Sequence, residues 1–244
     1  MNKTPTITAS RRSRSSMARL AGLVTLAVGV IASQRFANSA EAATKIPAPA
    51  QDEKVVPAHS ETAVFAGGCF WGMQGVFEHV KGVKQVLSGY SGGHVPNPGY
   101  ELVSSGSTGH AESIQIKYDP SKVTYGTLLQ VYFSVGHNPT ELNYQGPDSG
   151  TQYRSAIFYS NDDQKKVAQA YIAQLDAAHA FHAAIVTETT AFTAFYPAED
   201  YHQDYLINHP DSMYIAFNDQ PKIDNLKQMF PELYLDKPVM VSSN

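Results

Sequence analysis

The chain has 244 residues, of which 43% are apolar, 11% aromatic and 16% charged, so it holds enough apolar matter for a sizeable core and is not disordered throughout. One domain, or two small ones, fits that length. No run of 18 apolar residues marks a membrane-spanning bundle, and the single cysteine excludes an internal disulfide, a Cys-x-x-Cys redox pair and a multi-cysteine zinc site. Of 18 basic and 22 acidic residues, Lys3, five arginines and Glu41 fall in residues 1–42, which leaves 12 against 21 for the rest, a net of −9. An acidic body without a basic cluster speaks against nucleic acid as a partner.

Residues 1–42 read as a secretory signal peptide. Arg11, Arg12, Arg14 and Arg19 form a basic region, Leu20 to Ala32 an apolar one, and Ala40-Glu41-Ala42 a small-x-small cleavage site. An uncleaved anchor is the weaker reading, because the apolar stretch as a helix spans only about 20 Å of a roughly 30 Å hydrocarbon core. Ser10-Arg11-Arg12 leaves the twin-arginine and general routes both open. Export, to a bacterial periplasm, is therefore expected, with no stable membrane span. Residues 43–58, rich in Pro and Ala, read as a linker, and residues 59–244 as one domain. A lone thiol is unusual in a compartment that oxidises thiols, so this one needs a reason.

Thr62 to Ala66 reads as a short apolar strand ending in Gly67-Gly68. Phe70, Met73, Val76, Phe77 and Val80 then recur at helical spacing, with Gly82 as a terminating glycine. Val83 to Tyr90 reads as a strand, and Ser91 to Gly109 as a loop long enough to be functional. Ala111 to Tyr118 alternates, with Glu112, Ile114, Ile116 and Tyr118 on one face. Glu112 thereby starts on the core face, a costly place for a charge. Thr124 is placed to cap a helix carrying Leu128, Leu129, Tyr132 and Phe133. Gly136 to Gly150 reads as irregular, Gln152 to Tyr159 as a strand, 162–180 as the best helix, and Ile185 to Thr189 as a strand. The remainder reads as an irregular wrap with a helical turn near Lys222–Met229. Strand–helix–strand–strand–helix–strand predicts an α/β (α+β) two-layer sandwich with a mixed sheet of the split βαβ, ferredoxin-like type.

Gly67-Gly68-Cys69-Phe70-Trp71-Gly72 is the informative segment. Two glycines free the backbone, and Cys69 sits at a helix start, where unpaired N–H groups and the helix dipole favour a thiolate. A lone cysteine is otherwise a small buried hydrophobe. Phe70 and Trp71, the only tryptophan, are adjacent and about 100° apart on a helix, so both do not readily face inward. Beside a reactive thiol they would make an aromatic wall for an apolar group.

This segment resembles the active-site signature of the A-type peptide methionine sulfoxide reductases. Three further blocks follow in the family's order: Gly99-Tyr100-Glu101-x-Val103 through Gly106-x-Thr108-Gly109-His110-Ala111-Glu112, then Asp148-x-Gly150-Thr151-Gln152-Tyr153-Arg154-Ser155, then Tyr201-His202-Gln203-x-Tyr205-Leu206. The resemblance covers roughly residues 61–232, and four ordered blocks are far more specific than one short motif. It implies that Cys69 attacks the sulfur of a methionine S-sulfoxide and becomes a sulfenic acid, with Glu112 as general acid. A carboxyl in an apolar site keeps its proton near neutral pH, which suits that role. It further implies that Tyr100 and Tyr153 hydrogen-bond the sulfoxide oxygen, that Asp148 belongs to the site, and that Phe70 and Trp71 hold the methyl group.

Many family members carry extra cysteines that resolve the sulfenic acid. Here there are none, so an external thiol must do it: a glutaredoxin/glutathione type, a thioredoxin type or a periplasmic dithiol protein. The expected substrates are oxidised proteins or peptides carrying methionine sulfoxide, handled by a monomer with no bound cofactor. Two rival classes are a cysteine hydrolase pairing Cys69 with a distant histidine and a non-catalytic extracytoplasmic module binding methionine-rich peptides. A metal site from His110, Glu112, His137 and His202 lacks any ligand spacing.

Overall fold

Strand β1 (Glu61–Ala66) runs into Gly67-Gly68, and helix α1 (Phe70–Glu78) begins two residues later. Phe70, Met73, Val76 and Phe77 are buried, as the helical spacing requires. Strand β2 (Val83–Ser91) follows, then a loop in which Tyr100–Ser104 winds into a short helix, α2, and then β3 (Ala111–Tyr118). Helix α3 (Tyr125–Val131) starts at Thr124, whose hydroxyl accepts from the Thr127 N–H, and continues into a π-helical turn, Tyr132–Gly136. A small hairpin, β4 (Tyr144–Gln145) and β5 (Asp148–Ser149), precedes a 3₁₀ turn, Thr151–Tyr153, and β6 (Ala156–Tyr159). Helix α4 (Asp162–Ala177), capped by Asn161, leads to β7 (Glu188–Ala191) and β8 (Phe195–Pro197). Helices α5 (Tyr205–Asn208) and α6 (Gln220–Met229) complete the chain. The computed structural model describes Met1, residues 43–54 and residues 60–241. The expected signal segment, apart from Met1, and residues 55–58 of the expected linker lie outside the described residues.

The central sheet has the order β7-β6-β1-β3-β2-β8. Its inner four strands, β6-β1-β3-β2, are antiparallel neighbours in the order of a split βαβ fold. Strand β8 adds an antiparallel edge to β2, and β7 a parallel edge to β6, so the sheet is mixed as expected. One face buries Phe65, Ile114, Ile116 and Tyr118 against α1, α3 and α4; the other holds a smaller cluster around Val64, Ala156 and Phe158, covered by Phe192 and Phe195.

Four boundaries differ from the sequence reading. The strand expected from Gln152 begins only at Ala156, because Thr151–Tyr153 turns into 3₁₀ geometry after Gly150 at φ +135°. The strand expected at 185–189 is shifted to Glu188–Ala191, where the parallel register pairs Ala156 with Glu188. Helix α4 stops at Ala177, before His179 at φ +48°. Residues 43–54, expected as part of a linker, lie along the domain. The Thr44 N–H donates to the Ser134 carbonyl at 3.0 Å, the Tyr171 hydroxyl to the Pro47 carbonyl at 2.6 Å, and Asp52 accepts from Thr124 and from the Gly126 N–H, capping α3. Proline and alanine composition signalled a linker, but one buried residue, Ile46, and backbone hydrogen bonds are enough to dock such a segment.

Candidate active site

The backbone turns sharply where β1 meets α1. Gly68 has φ +81°, and a Cβ there would meet the Gln145 side chain at 2.6 Å, so glycine is required. Cys69 is the residue that caps α1, one position before the helix proper, and is 9% exposed. A helix start leaves its first N–H groups without intrahelical partners. Here the Phe70 N–H donates to Oε2 of Glu112 at 3.1 Å. Glu112 stands on β3, opposite Tyr90 of β2, and is 2% exposed. The alternation of β3 therefore does place this carboxyl in the core, beside the thiol.

Burial pushes the Glu112 carboxyl up to about 8, helped by the nearby Asp148 and Asp219 carboxylates, with the Phe70 N–H acting in the other direction. It is held mainly as the neutral acid at neutral pH, the state able to donate a proton. The Cys69 thiol departs from expectation. A helix start alone would favour thiolate, yet burial, then the charges of Glu112 and Asp219, push the thiol well above its ordinary value, and the Trp71 N–H offsets only part of this. The helix dipole is outweighed by desolvation and by a ring of carboxylates.

Tyr100, from α2, and Tyr153, from the 3₁₀ turn, both couple electrostatically to Cys69 and to Glu112. Burial raises both phenols, so they stay hydroxyl donors. Glu199 fixes the first of them: it accepts from the Tyr100 N–H at 2.9 Å and from the Tyr90 hydroxyl at 2.9 Å. Asp148, on β5, accepts from the Tyr214 hydroxyl. A narrow cavity of about 10 Å³, room for one water, lies between Cys69, Gln145, Asp148, Tyr214, Asp219 and Lys222. Asp219 is buried, pushed up to about 6 by that burial despite Lys222 at 3.6 Å. It packs so closely on α1 that a Cβ on Gly72 would collide with its carboxylate.

Phe70 and Trp71 resolve their adjacency in different ways. Phe70 is buried against Tyr90 and His202, at ring separations of 5.9 and 5.0 Å. Trp71 is half-buried, stacked on Tyr205 at 3.8 Å, edge-on to Tyr214 at 5.7 Å, and its indole N–H donates to Nδ1 of His202 at 3.1 Å. His202 is held in place by its neighbour: the Gln203 carboxamide bonds the Ser88 N–H and carbonyl and the Ala198 carbonyl. The seven residues expected from sequence thus converge on one site. Sequence reasoning gave no role to Glu199, Tyr214, Asp219 or Lys222, which reach the site only through the C-terminal wrap and carry no spacing signal. Two of the histidines whose spacing gave no metal site are separately engaged: His110 with the Gly93 N–H and Val95 carbonyl, His137 with the Tyr132 carbonyl and Ser155. Among the described residues, no group of three His, Cys, Asp or Glu side chains is arranged to hold a metal ion, and no helix is long and apolar enough to cross a membrane.

Residues 61–233 match the family described as peptide methionine sulfoxide reductase. The peptide methionine sulfoxide reductase MsrA 2 of Mesorhizobium japonicum is 64% identical over 192 residues, which cover 79% of this chain and 98% of that protein. Its namesake in Synechocystis sp. is 55% identical over 173 residues, 71% of this chain and 81% of that one. Among solved structures, methionine sulfoxide reductase A of Corynebacterium diphtheriae has a TM-score of 0.54 and 33% identity, covering 69% of this chain and 88% of that one. Mxr1 of Saccharomyces cerevisiae in reduced form has a TM-score of 0.56 and 32% identity, covering 65% and 91%. With a match running from β1 to beyond α6, the chain belongs to the peptide methionine sulfoxide reductase family.

Proposed function

We infer that the chain reduces methionine sulfoxide, as the S epimer, to methionine through Cys69, with an external thiol as electron donor. The observation that carries the reading is the pairing at the head of α1: a buried thiol next to a buried carboxyl whose acid form is stabilised by its surroundings. The sulfur of Cys69 attacks the sulfoxide sulfur while Glu112 protonates the oxygen. The oxygen passes to Cys69 as a sulfenic acid, methionine leaves, and the thiol proton returns to Glu112. The substrate sulfur gains two electrons and the cysteine sulfur loses two. Tyr100 and Tyr153 donate hydrogen bonds to the sulfoxide oxygen as charge builds on it, and the Phe70–Trp71 wall receives the methyl group. Asp148, held by Tyr214, borders the pocket.

Regeneration follows from the single cysteine. One thiol displaces water from the sulfenic acid to give a mixed disulfide, and a second releases Cys69 as the thiol. A small dithiol, a glutathione-dependent donor or a periplasmic dithiol protein meets that need. Export is supported by the order of basic, apolar and Ala-x-Ala regions in residues 1–42. The test is dithiothreitol consumption with and without added methionine sulfoxide. Consumption that requires the sulfoxide and vanishes in Cys69→Ser supports the reading, whereas ester or amide turnover through an acyl-enzyme would replace it with a hydrolase. An N-terminus at or near Ala43 in protein recovered outside the cytoplasm tests the export.

A further inference from the structure

Among the described residues, the large apolar side chains left exposed, Met1 apart, are Leu102, Leu142, Tyr144, Tyr201, Met213 and Phe217, between 42% and 69% exposed. Each lies within three residues of a side chain at the site. Leu102 shares α2 with Tyr100, and Leu142 and Tyr144 precede Gln145. Tyr201 adjoins His202, Met213 adjoins Tyr214, and Phe217 adjoins Asn218, which also lines the cavity beside Cys69. Single exposed apolar residues scattered over a surface need no explanation. Six confined to the segments that build one cleft are not scattered, and apolar surface around a polar site marks an interaction face.

The charge on these segments has one sign. Residues 99–104, 141–148, 199–204 and 211–219 together hold eight carboxylates and no lysine or arginine. Glu101, Asp200 and Asp211 are exposed. The cation lining the cavity, Lys222, is 6% exposed and held 3.6 Å from Asp219, so its charge is matched inside the protein. A ligand reaching Cys69 therefore crosses a border that is apolar and negative.

We propose that this border is a docking surface for an extended polypeptide whose methionine sulfoxide is flanked by apolar and basic residues. The proposal rests on the reductase reading and adds to it the class of substrate the cleft selects. Cys69 is nearly buried, so a single side chain must be inserted to reach it. An extended chain rises about 3.3 Å per residue, which leaves the flanking side chains over the border. Apolar flanks cover the exposed rings and aliphatic groups there, and basic flanks meet the exposed carboxylates of Glu101, Asp200 and Asp211.

Initial rates with the full chain and dithiothreitol on three probes test this. The probes are N-acetylmethionine sulfoxide, a peptide with Leu and Lys flanking the methionine sulfoxide, and the same peptide with Glu replacing Lys. The Lys peptide is expected to exceed the Glu peptide in kcat/KM by about tenfold at low ionic strength, and the gap should shrink as salt is added. Glu101→Gln with Asp200→Asn should narrow the gap. Leu142→Ser with Phe217→Ser should lower kcat/KM for both peptides by about three- to tenfold, the loss expected of moderate interface contacts. N-acetylmethionine sulfoxide should be turned over equally by all these variants, and its failure as a substrate of the wild type would strike the reductase reading instead. Equal rates for the two peptides at low salt, or peptide kinetics indifferent to the border variants, would overturn the proposal. So would variants that slow only regeneration by a protein dithiol, since the surface would then serve the reductant.

Discussion

The Phe70 N–H and Oε2 of Glu112 are 3.1 Å apart across the junction of α1 and β3. One hydrogen bond thereby satisfies an orphan donor of the helix and aligns the acid with the residue that caps it, Cys69. The thiol and the carboxyl are held on two different elements by a backbone group, not by a side chain that substrate would have to displace.

The position of that proton sets a pH dependence. With the Glu112 carboxyl pushed up to about 8, the donor is present below that value and lost above it. The rate of sulfenic acid formation should be flat from about pH 6 to 7 and fall as pH rises through about 8. The Cys69 thiol sits well above its ordinary value and does not titrate in that window. Glu112→Gln should slow the same step by about 10²–10⁴-fold at pH 7 while binding of methionine sulfoxide persists. Single-turnover rates across the pH range check both; a rate that climbs through pH 8 would remove Glu112 from the role.

Without a second cysteine, oxidation must stop at Cys69. Mixing enzyme and methionine sulfoxide without reductant should yield one methionine per chain and a mass increase of one oxygen, trapped at Cys69. Quantifying methionine and the intact mass together decides the matter. Two methionines per chain before stalling would require another oxidisable centre.

Trp71 contributes a stacked ring on Tyr205 and a hydrogen bond to His202, so its removal should open the aromatic wall proposed to hold the methyl group without touching the thiol. Trp71→Ala is expected to raise KM about tenfold or more, in line with the worth of a buried aromatic contact, with circular dichroism unchanged. Unaltered KM would show that the indole does not contact substrate.

Glu78, at the end of α1, is fully buried and pushed up to about 9, chiefly by burial and further by the Asp204 carboxylate. Glu112 at about 8, Glu53 at about 7 and Asp219 at about 6 are displaced the same way. The folded state keeps protons that the unfolded chain releases near its ordinary values of 4.5 for Glu and 3.8 for Asp. The stability these groups contribute is therefore fully present below about pH 4 and is lost as pH rises from there through about 9. Glu78→Gln keeps the side chain's shape but has no proton to lose. Its Tm should exceed that of the wild type at pH 9 by several degrees, at about 2–4 °C per kcal/mol for a domain of this size. Near pH 5 the two should differ little. Calorimetry at both pH values checks the sign, and a wild type more stable at pH 9 would reverse it.

The chain order alone determined the segment around Cys69 and the frame around it. Strand β1, the glycine pair, the apolar spacing of α1 and the alternation of β3 are local patterns, because a strand's period of two and a helix's period of 3.6 are written in consecutive residues. That alternation also sets Glu112 on the core face with Ile114 and Ile116, a local pattern that needs no distant neighbour. What lay beyond the sequence depended on long-range contacts. Glu199 meets Tyr100 from 99 residues away, and Tyr214 reaches Asp148 across 66. Residues 43–54 dock instead of dangling because α3 and α4 offer hydrogen-bond partners that no composition reveals. The thiol's protonation was decided the same way. A helix start is visible in sequence and favours thiolate, but the burial and the carboxylates of β3, β5 and the C-terminal wrap come together only on folding, and desolvation then outweighs the dipole.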